Sequence, residues 1–187
     1  AGLVIGVLCG YYRRLDDTVM RVMDGLMAIP AILLAIALIT LMKASLFIVI
    51  VAIAIPEIPR VVRLVRSVVL TVRGLPYIEA AVASGTRARL IMTRHILPNT
   101  VAPLIVQATY VCAAAILTEA GLSFLGAGTP PEIPSWGNVI STGRTFFQIS
   151  PWIIFFPGVM LAIAVLAINL VGDGLRDSLD PRIARRM

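Results

Sequence analysis

Charge is scarce in this sequence. Of its 187 residues only 14% are Asp, Glu, Lys or Arg, against about 25% in an ordinary soluble domain. With 59% apolar residues and a mean hydropathy of +0.95, most of its surface is expected to face lipid rather than water. Histidine is scarcer still. His95 is the sole example, with no second His, Cys or carboxylate at a ligand spacing, so no metal site is expected. The two cysteines, Cys9 and Cys112, each sit in an apolar run and read as small buried hydrophobes rather than a disulfide or metal pair. A G-x-x-x-x-G-K-[ST] phosphate loop is missing, so ATP is not expected to bind that way. Ser135 and Ser141 have no base at a recognisable spacing. No enzyme and no cofactor are expected from these residues.

What is present is long uncharged runs separated by short charged turns. Residues 1–12 carry no basic n-region, so no cleavable signal peptide is expected; they read as the tail of a span whose beginning is missing. Residues 25–42 are long enough for a span, with Pro30 tolerated in its first turns. Lys43, Ala44 and Ser45 make a turn. A further span starts at Leu46 and runs to about Pro59, its far end carrying Arg60, Arg63 and Arg66 on roughly one face. Residues 96–118 form the next, and 145–172 contain the last. The expectation is an all-α, polytopic membrane bundle of about five spans. It would be a single transmembrane domain over 1–187, a fragment lacking its N-terminal span or spans. Residues 126–151 are rich in Gly, Pro and Ser and read as a loop with one short helix near 137–147.

The stretch 79–98, EAAVASGTRARLIMTRHILP, is a polar island between two apolar runs. Ala and Glu favour helix over 77–84. Gly85 suits the left-handed residue that ends a helix, and Thr86 can cap the next one. A second helix is expected from about Arg87 until Pro98 limits it. Such a hairpin, here 76–98, is a docking device rather than a catalytic one. If its side is cytoplasmic, then of the 16 basic residues all but Lys43 and Arg144 fall on that side. The net charge of +6 is then a topogenic signal with affinity for anionic lipid heads, and nucleic acid is not an expected partner. The C-terminus is expected on the same side.

Three further places carry charge where the chain is otherwise apolar. Glu119 stands near the end of a span and reads either as a pathway group or as a paired residue that fixes the following loop. Glu57, between Pro56 and Pro59 where the helix can loosen, reads as a pathway group or as an i,i+3 partner of Arg60. Asn169, Asp173, Arg176 and Asp177 lie at the last exit, where Gly172 and Gly174 suggest close packing or a helix end. Trp136 and Trp152 would suit an interfacial belt.

The 79–98 stretch resembles the EAA loop of ABC-importer permeases: EAA, three residues, Gly, nine residues, then Ile-x-Leu-Pro. Glu79, Ala80, Ala81, Gly85, Leu97 and Pro98 fall at those spacings. His95 stands where the general pattern has Ile, and HILPN is familiar in the peptide-importing branch. The LSFLG segment at 122–126, the PSWG segment at 134–137 and the GDGLRD…LDPR ending are similar to the dipeptide, oligopeptide and nickel permeases, most of all to their second, C-type permease. The resemblance implies a type I importer permease without catalytic residues. Its partners would be a second homologous permease, two cytoplasmic ATPase subunits, an extracytoplasmic binding protein and the bilayer. It implies that Glu79, Ala80, Ala81, Ser84, Gly85, Leu97 and Pro98 form the ATPase-docking hairpin, with Ala80 and Ala81 permitting close approach and Gly85 setting the bend. It also implies di- or oligopeptide substrates, with nickel as the alternative, and a bacterial or archaeal plasma membrane. An ion-coupled secondary transporter would need its own coupling site, for which only Glu57 and Glu119 are candidates. A passive channel would need a selectivity ring, and no such motif appears.

Overall fold

The computed structural model describes residues 1–42 and 45–179, and every described element is helical. Lys43 and Ala44 of the expected turn, and the Asp180, Pro181, Arg182, Arg185 and Arg186 of the ending, lie outside the described residues. The order is α1 (Gly2–Tyr11), α2 (Arg13–Ala28), α3 (Ala31–Met42), α4 (Leu46–Arg73), α5 (Pro76–Ala83), α6 (Ala88–Ile91), a π-helical turn (Met92–Ile96), α7 (Leu97–Phe124), α8 (Trp136–Gly143), a 3-10 turn (Arg144–Phe146) and α9 (Trp152–Leu179).

Among the described residues, two continuous helices are long and apolar enough to cross a membrane: Ala88–Phe124, which joins α6, the π turn and α7, and Trp152–Leu179. A third is reached if α2 and α3 are taken together as one broken span. The run expected to be one helix over 25–42 is divided. Pro30 is not tolerated inside it; the chain leaves helical geometry at Ile29, as the residue before a proline tends to, and resumes at Ala31. Pro56 and Pro59 have no such effect, for α4 runs unbroken through both. The Ser45 hydroxyl caps α4 by accepting from Ile48 N–H at 3.3 Å.

The chain forms two compact units. The first comprises residues 1–28, 57–108 and 173 onward. Its core joins Val7 of α1 and Val65, Val69 and Val72 of α4 to Ile78, Ile91 and Ile96 of the hairpin. α1 reaches α4 through a seam of small residues. A Cβ on Gly2, Gly6 or Gly10 would stand 2.6–2.7 Å from Val61, Val65 or Val69 respectively. Glycine at every fourth position therefore lets the two backbones close up, as in membrane helix pairs.

The second unit comprises residues 29–56 and 109–172. Its core is Ala35 and Ile39 of α3, Val49 and Ala52 of α4, and Leu122 of α7. In it Gly172 packs on Thr109 so closely that a Cβ would overlap the hydroxyl, whereas Gly174, outside this unit, has open space. α9 passes through both glycines to Leu179, so the first marks close packing and neither ends the helix.

Candidate functional site

The hairpin is built by local chemistry. Pro76 takes the first position of α5, where its missing N–H costs nothing and its fixed φ suits the helix. Glu79 follows in the first turn, favourably placed against the helix dipole. Gly85 has φ +77°. Its N–H reaches the Val82 carbonyl at 3.0 Å and Thr86 N–H reaches Ala81 at 3.1 Å, the paired bonds of a Schellman end. The break at Gly85 thus falls where its residue type asks for it.

Two details depart from the sequence reading. Thr86 does not cap the next helix: Arg87 is extended (φ −60°, ψ 137°) and takes the cap position without a side-chain bond, which leaves Thr86 one residue outside. Pro98 does not end the helix either. A π turn absorbs it, with Leu97 N–H bonding back to Met92. The wider turn accommodates a residue that has no N–H to give and whose ring crowds the carbonyl four residues back. Asn99 Nδ2 donates to the His95 carbonyl at 2.6 Å, and Thr100 Oγ1 to Leu97 at 2.7 Å, so these carbonyls of the turn are supplied by side chains.

The hairpin has a packed base and an open tip. Ile78, Ile91 and Ile96 are buried in the first unit's core, and Leu97 packs at its margin. Glu79, Ala80, Ser84, Gly85 and Pro98 are exposed, and Ala81 is half-buried. Tyr77 and His95 close the two arms, ring centroids 6.1 Å apart.

Behind the hairpin, α4 holds α1 and α2 by its arginines. Arg66 grips Asp16 with Nε and Nη2, one to each carboxylate oxygen. Arg63 reaches Asp24 at 2.5 Å. Arg73 donates to the Tyr11 carbonyl at 3.1 Å and lies over the Tyr11 ring at 5.6 Å. The bond from Arg66 outweighs burial and holds the Asp16 carboxyl below its ordinary range. From the sequence these arginines are a topogenic signal with affinity for anionic lipid heads. No local pattern in α2 links its acids Asp24 and Asp16 to arginines 39 and 50 residues further on.

Glu57 pairs with Arg60 at 2.9 Å, while its Oε2 is buried with no hydrogen-bond partner among the described residues. Glu119 belongs to a polar clasp. Its Oε1 accepts from Ser123 at 2.7 Å and from Thr129 at 3.0 Å. Asn138 Nδ2 lies 3.1 Å from Thr129 Oγ1 and within 3.0–3.2 Å of the carbonyls of Thr129, Pro130 and Ile133. Ser135 caps α8 by accepting from Asn138 N–H at 3.1 Å. Gly137 sits so close to α7 that a Cβ would stand 2.8 Å from Ala120 Cα. PSWG is therefore a fastening of the loop onto α7 rather than a free turn: Ser caps and Gly packs, while Trp136 and Trp152 stay about half exposed.

Among the described residues, helices long and apolar enough to cross a membrane together with a packed, polar-tipped hairpin define an α-helical membrane protein. The family described as "Binding-protein-dependent transport system inner membrane component" matches residues 2–185, and the chain belongs to it. Among curated proteins it is similar to a probable peptide ABC transporter permease of Sinorhizobium fredii, 61% identical over 177 residues, 95% of this chain and 61% of that protein. A putative peptide transport system permease of Brucella suis is 51% identical over 182 residues, 97% of this chain and 62% of the relative. A dipeptide transport system permease of Alkalihalophilus pseudofirmus is 45% identical over 183 residues, 97% and 60%. The chain thus spans about three-fifths of the length of these relatives.

Proposed function

We propose that this chain is part of the permease subunit of an ATP-driven importer of di- or oligopeptides, and that the hairpin 76–98 is where a separate ATPase subunit docks. The observation that carries the docking site is the division of the hairpin into a buried base and an exposed tip. Ile78, Ile91 and Ile96 tie it to Val65, Val69 and Val72 of α4, while Glu79, Ala80, Ser84 and Gly85 are presented outward. A displacement applied to the tip is then passed to α4 through packed side chains rather than absorbed by a loose loop. Pro98 does not uncouple the second arm, because the helix continues from Ala88 to Phe124. ATP-driven closure of two ATPases would push on the tip and rock this permease and a homologous partner between two access states. The chain itself performs no chemistry; hydrolysis is supplied from outside.

Peptide as cargo rests on the names of the similar proteins, which are peptide, dipeptide, di/tripeptide and glutathione permeases. That favours peptides over nickel. The hairpin and the C-terminus are assigned to the cytoplasmic side by the distribution of basic residues, with the loop 126–151 outside, where it would meet a binding protein. A secondary transporter is disfavoured by the two candidate carboxylates. Glu57 is paired through Oε1 with Arg60, and Glu119 with Ser123 and Thr129.

The test is co-purification of the full-length permease with its partner permease and ATPases, with and without Glu79→Lys. Recovery of ATPase with the wild type and its loss with the variant is expected. If no ATPase associates and vesicles take up peptide without ATP, the proposal fails.

A further inference from the structure

The helix α2, Arg13–Ala28, has a face that the fold does not use. Its Asp16 and Met23 are buried, and its acids Asp16 and Asp24 engage Arg66 and Arg63 of α4. On the flank next to these, Leu15, Val19, Val22 and Leu26 fall at i, i+4, i+7 and i+11, a single stripe at helical period. Leu15 and Val22 are 45% and 56% exposed, and Val19 and Leu26 are half-buried. Between the stripe and the α4-facing side lie Arg14 and Arg21, while Arg13 opens the helix on the side that carries Asp16 and Asp24. All three are exposed and none forms an ion pair among the described residues. Asp17 is the one acid on this free side.

We propose that α2 lies along the membrane surface, with the Leu15–Val19–Val22–Leu26 stripe in the acyl boundary and Arg13, Arg14 and Arg21 on the phosphates of anionic lipids. Two independent features point to a bilayer. The first is tethering. A single residue, Tyr12, separates α2 from the apolar helix α1, and two residues separate it from the apolar helix α3. A helix of about 24 Å whose two ends are tied that closely to hydrocarbon-seeking helices cannot stand away from the bilayer. Nor can it cross, since Arg13, Arg14, Asp16, Asp17, Arg21 and Asp24 fall within one 16-residue helix. The second is charge. An amphipathic helix with arginine bordering an aliphatic stripe is the composition that binds the interface. Guanidinium groups fit phosphate oxygens two at a time, and their long stems reach headgroups from a partly buried backbone.

The ion pairs to Arg63 and Arg66 give this placement a consequence. They fix α2 to α4, so a lipid-seated α2 sets the depth of the charged half of α4 relative to the headgroups. The inference concerns lipid, and it stands whether or not an ATPase binds the hairpin.

The test uses the full-length permease with both natural cysteines of this region replaced, Cys9→Ala and Cys112→Ser. A single Val22→Cys or, as a second variant, Leu15→Cys is labelled with bimane. The protein is placed in nanodiscs of phosphatidylglycerol and phosphatidylcholine. Bromine on the upper acyl chain is expected to quench both labels strongly, while aqueous iodide quenches them weakly. Replacing Arg13, Arg14 and Arg21 together by Gln should lower lipid quenching several-fold in phosphatidylglycerol, with little change in phosphatidylcholine. Strong quenching by iodide would put the stripe in water, and protection from both quenchers would put it against a protein subunit. Either result overturns the proposal.

Discussion

Arg66 holds both oxygens of Asp16 across fifty residues of sequence, and this bidentate pair is the firmest polar tie between α2 and α4. Asp16 is nearly buried (side chain 12% exposed) and Arg66 is 31% exposed. Asp16→Asn removes the charge and one acceptor while leaving Arg66 in place. The expected loss is about 1–3 kcal/mol of stability, read as a lower melting temperature in detergent. A double-mutant cycle with Arg66→Gln should return a coupling energy clearly different from zero.

The same pair makes a pH prediction. Hydrogen bonding from Arg66 lowers the Asp16 pKa in the folded protein, so the folded value lies below the unfolded one, about 3.9. The stabilisation is therefore fully present above the unfolded value and is lost as pH falls through the folded value. From about pH 4 downward the wild type should lose more stability than Asp16→Asn, and the two curves should converge in acid. Parallel curves would show that the pair carries no linked proton.

Glycines in this chain divide into those that are needed and those that are not, and substitution should separate them. Gly6→Leu drives a side chain into Val65 and the Val62 carbonyl, where even a Cβ would stand at 2.7 and 2.9 Å. Overpacking there is expected to cost about 1–3 kcal/mol or more. Gly25, inside α2, has open space around it, and Gly25→Ala should be neutral or stabilising by up to about 1 kcal/mol. Thermal melts of the two variants decide the matter.

The loop clasp can be opened without touching the spans. Thr129→Val removes the donor to Glu119 and the acceptor for Asn138, and leaves the carboxylate short of one bond. A loss of about 1–2 kcal/mol is expected, concentrated in 126–151. Limited proteolysis should nick that loop sooner than in the wild type, while the rest of the chain stays protected.

At the hairpin, Gly85→Ala places a Cβ at φ +77°, costing about 1–2 kcal/mol of local strain although nothing crowds the site. Gly85→Arg adds bulk and charge to the exposed tip. Under the proposed docking role, mild loss of peptide uptake is expected for Ala and near-complete loss for Arg, with both proteins inserted normally. Normal uptake by Gly85→Arg would remove the tip from the coupling route.

What could be read from the residues was local. The break at Gly85, the short helix after Pro134 and the i,i+3 tie of Glu57 to Arg60 each depend on neighbours a turn away, and the sequence displays those directly. The response to proline was harder to read. Pro30 breaks a helix, Pro56 and Pro59 do not, and Pro98 is taken up by a π turn, so the residue type alone does not say which will happen. Partners distant in the chain were out of reach. Nothing near Asp16 announces Arg66, and Glu119 finds Thr129 only once the loop has folded back.

The valine–glycine seam between α1 and α4 has a consequence for assembly. Inside a bilayer there is little hydrophobic drive for helices to meet, so the entropy surrendered on contact matters more. Gly2, Gly6 and Gly10 have no rotamers to lose, and Val61, Val65 and Val69 are already confined to one χ1 well by the helix they belong to. The two helices can therefore join without freezing side-chain motion at the seam, and α4 gains a straight, stiff companion along its charged half.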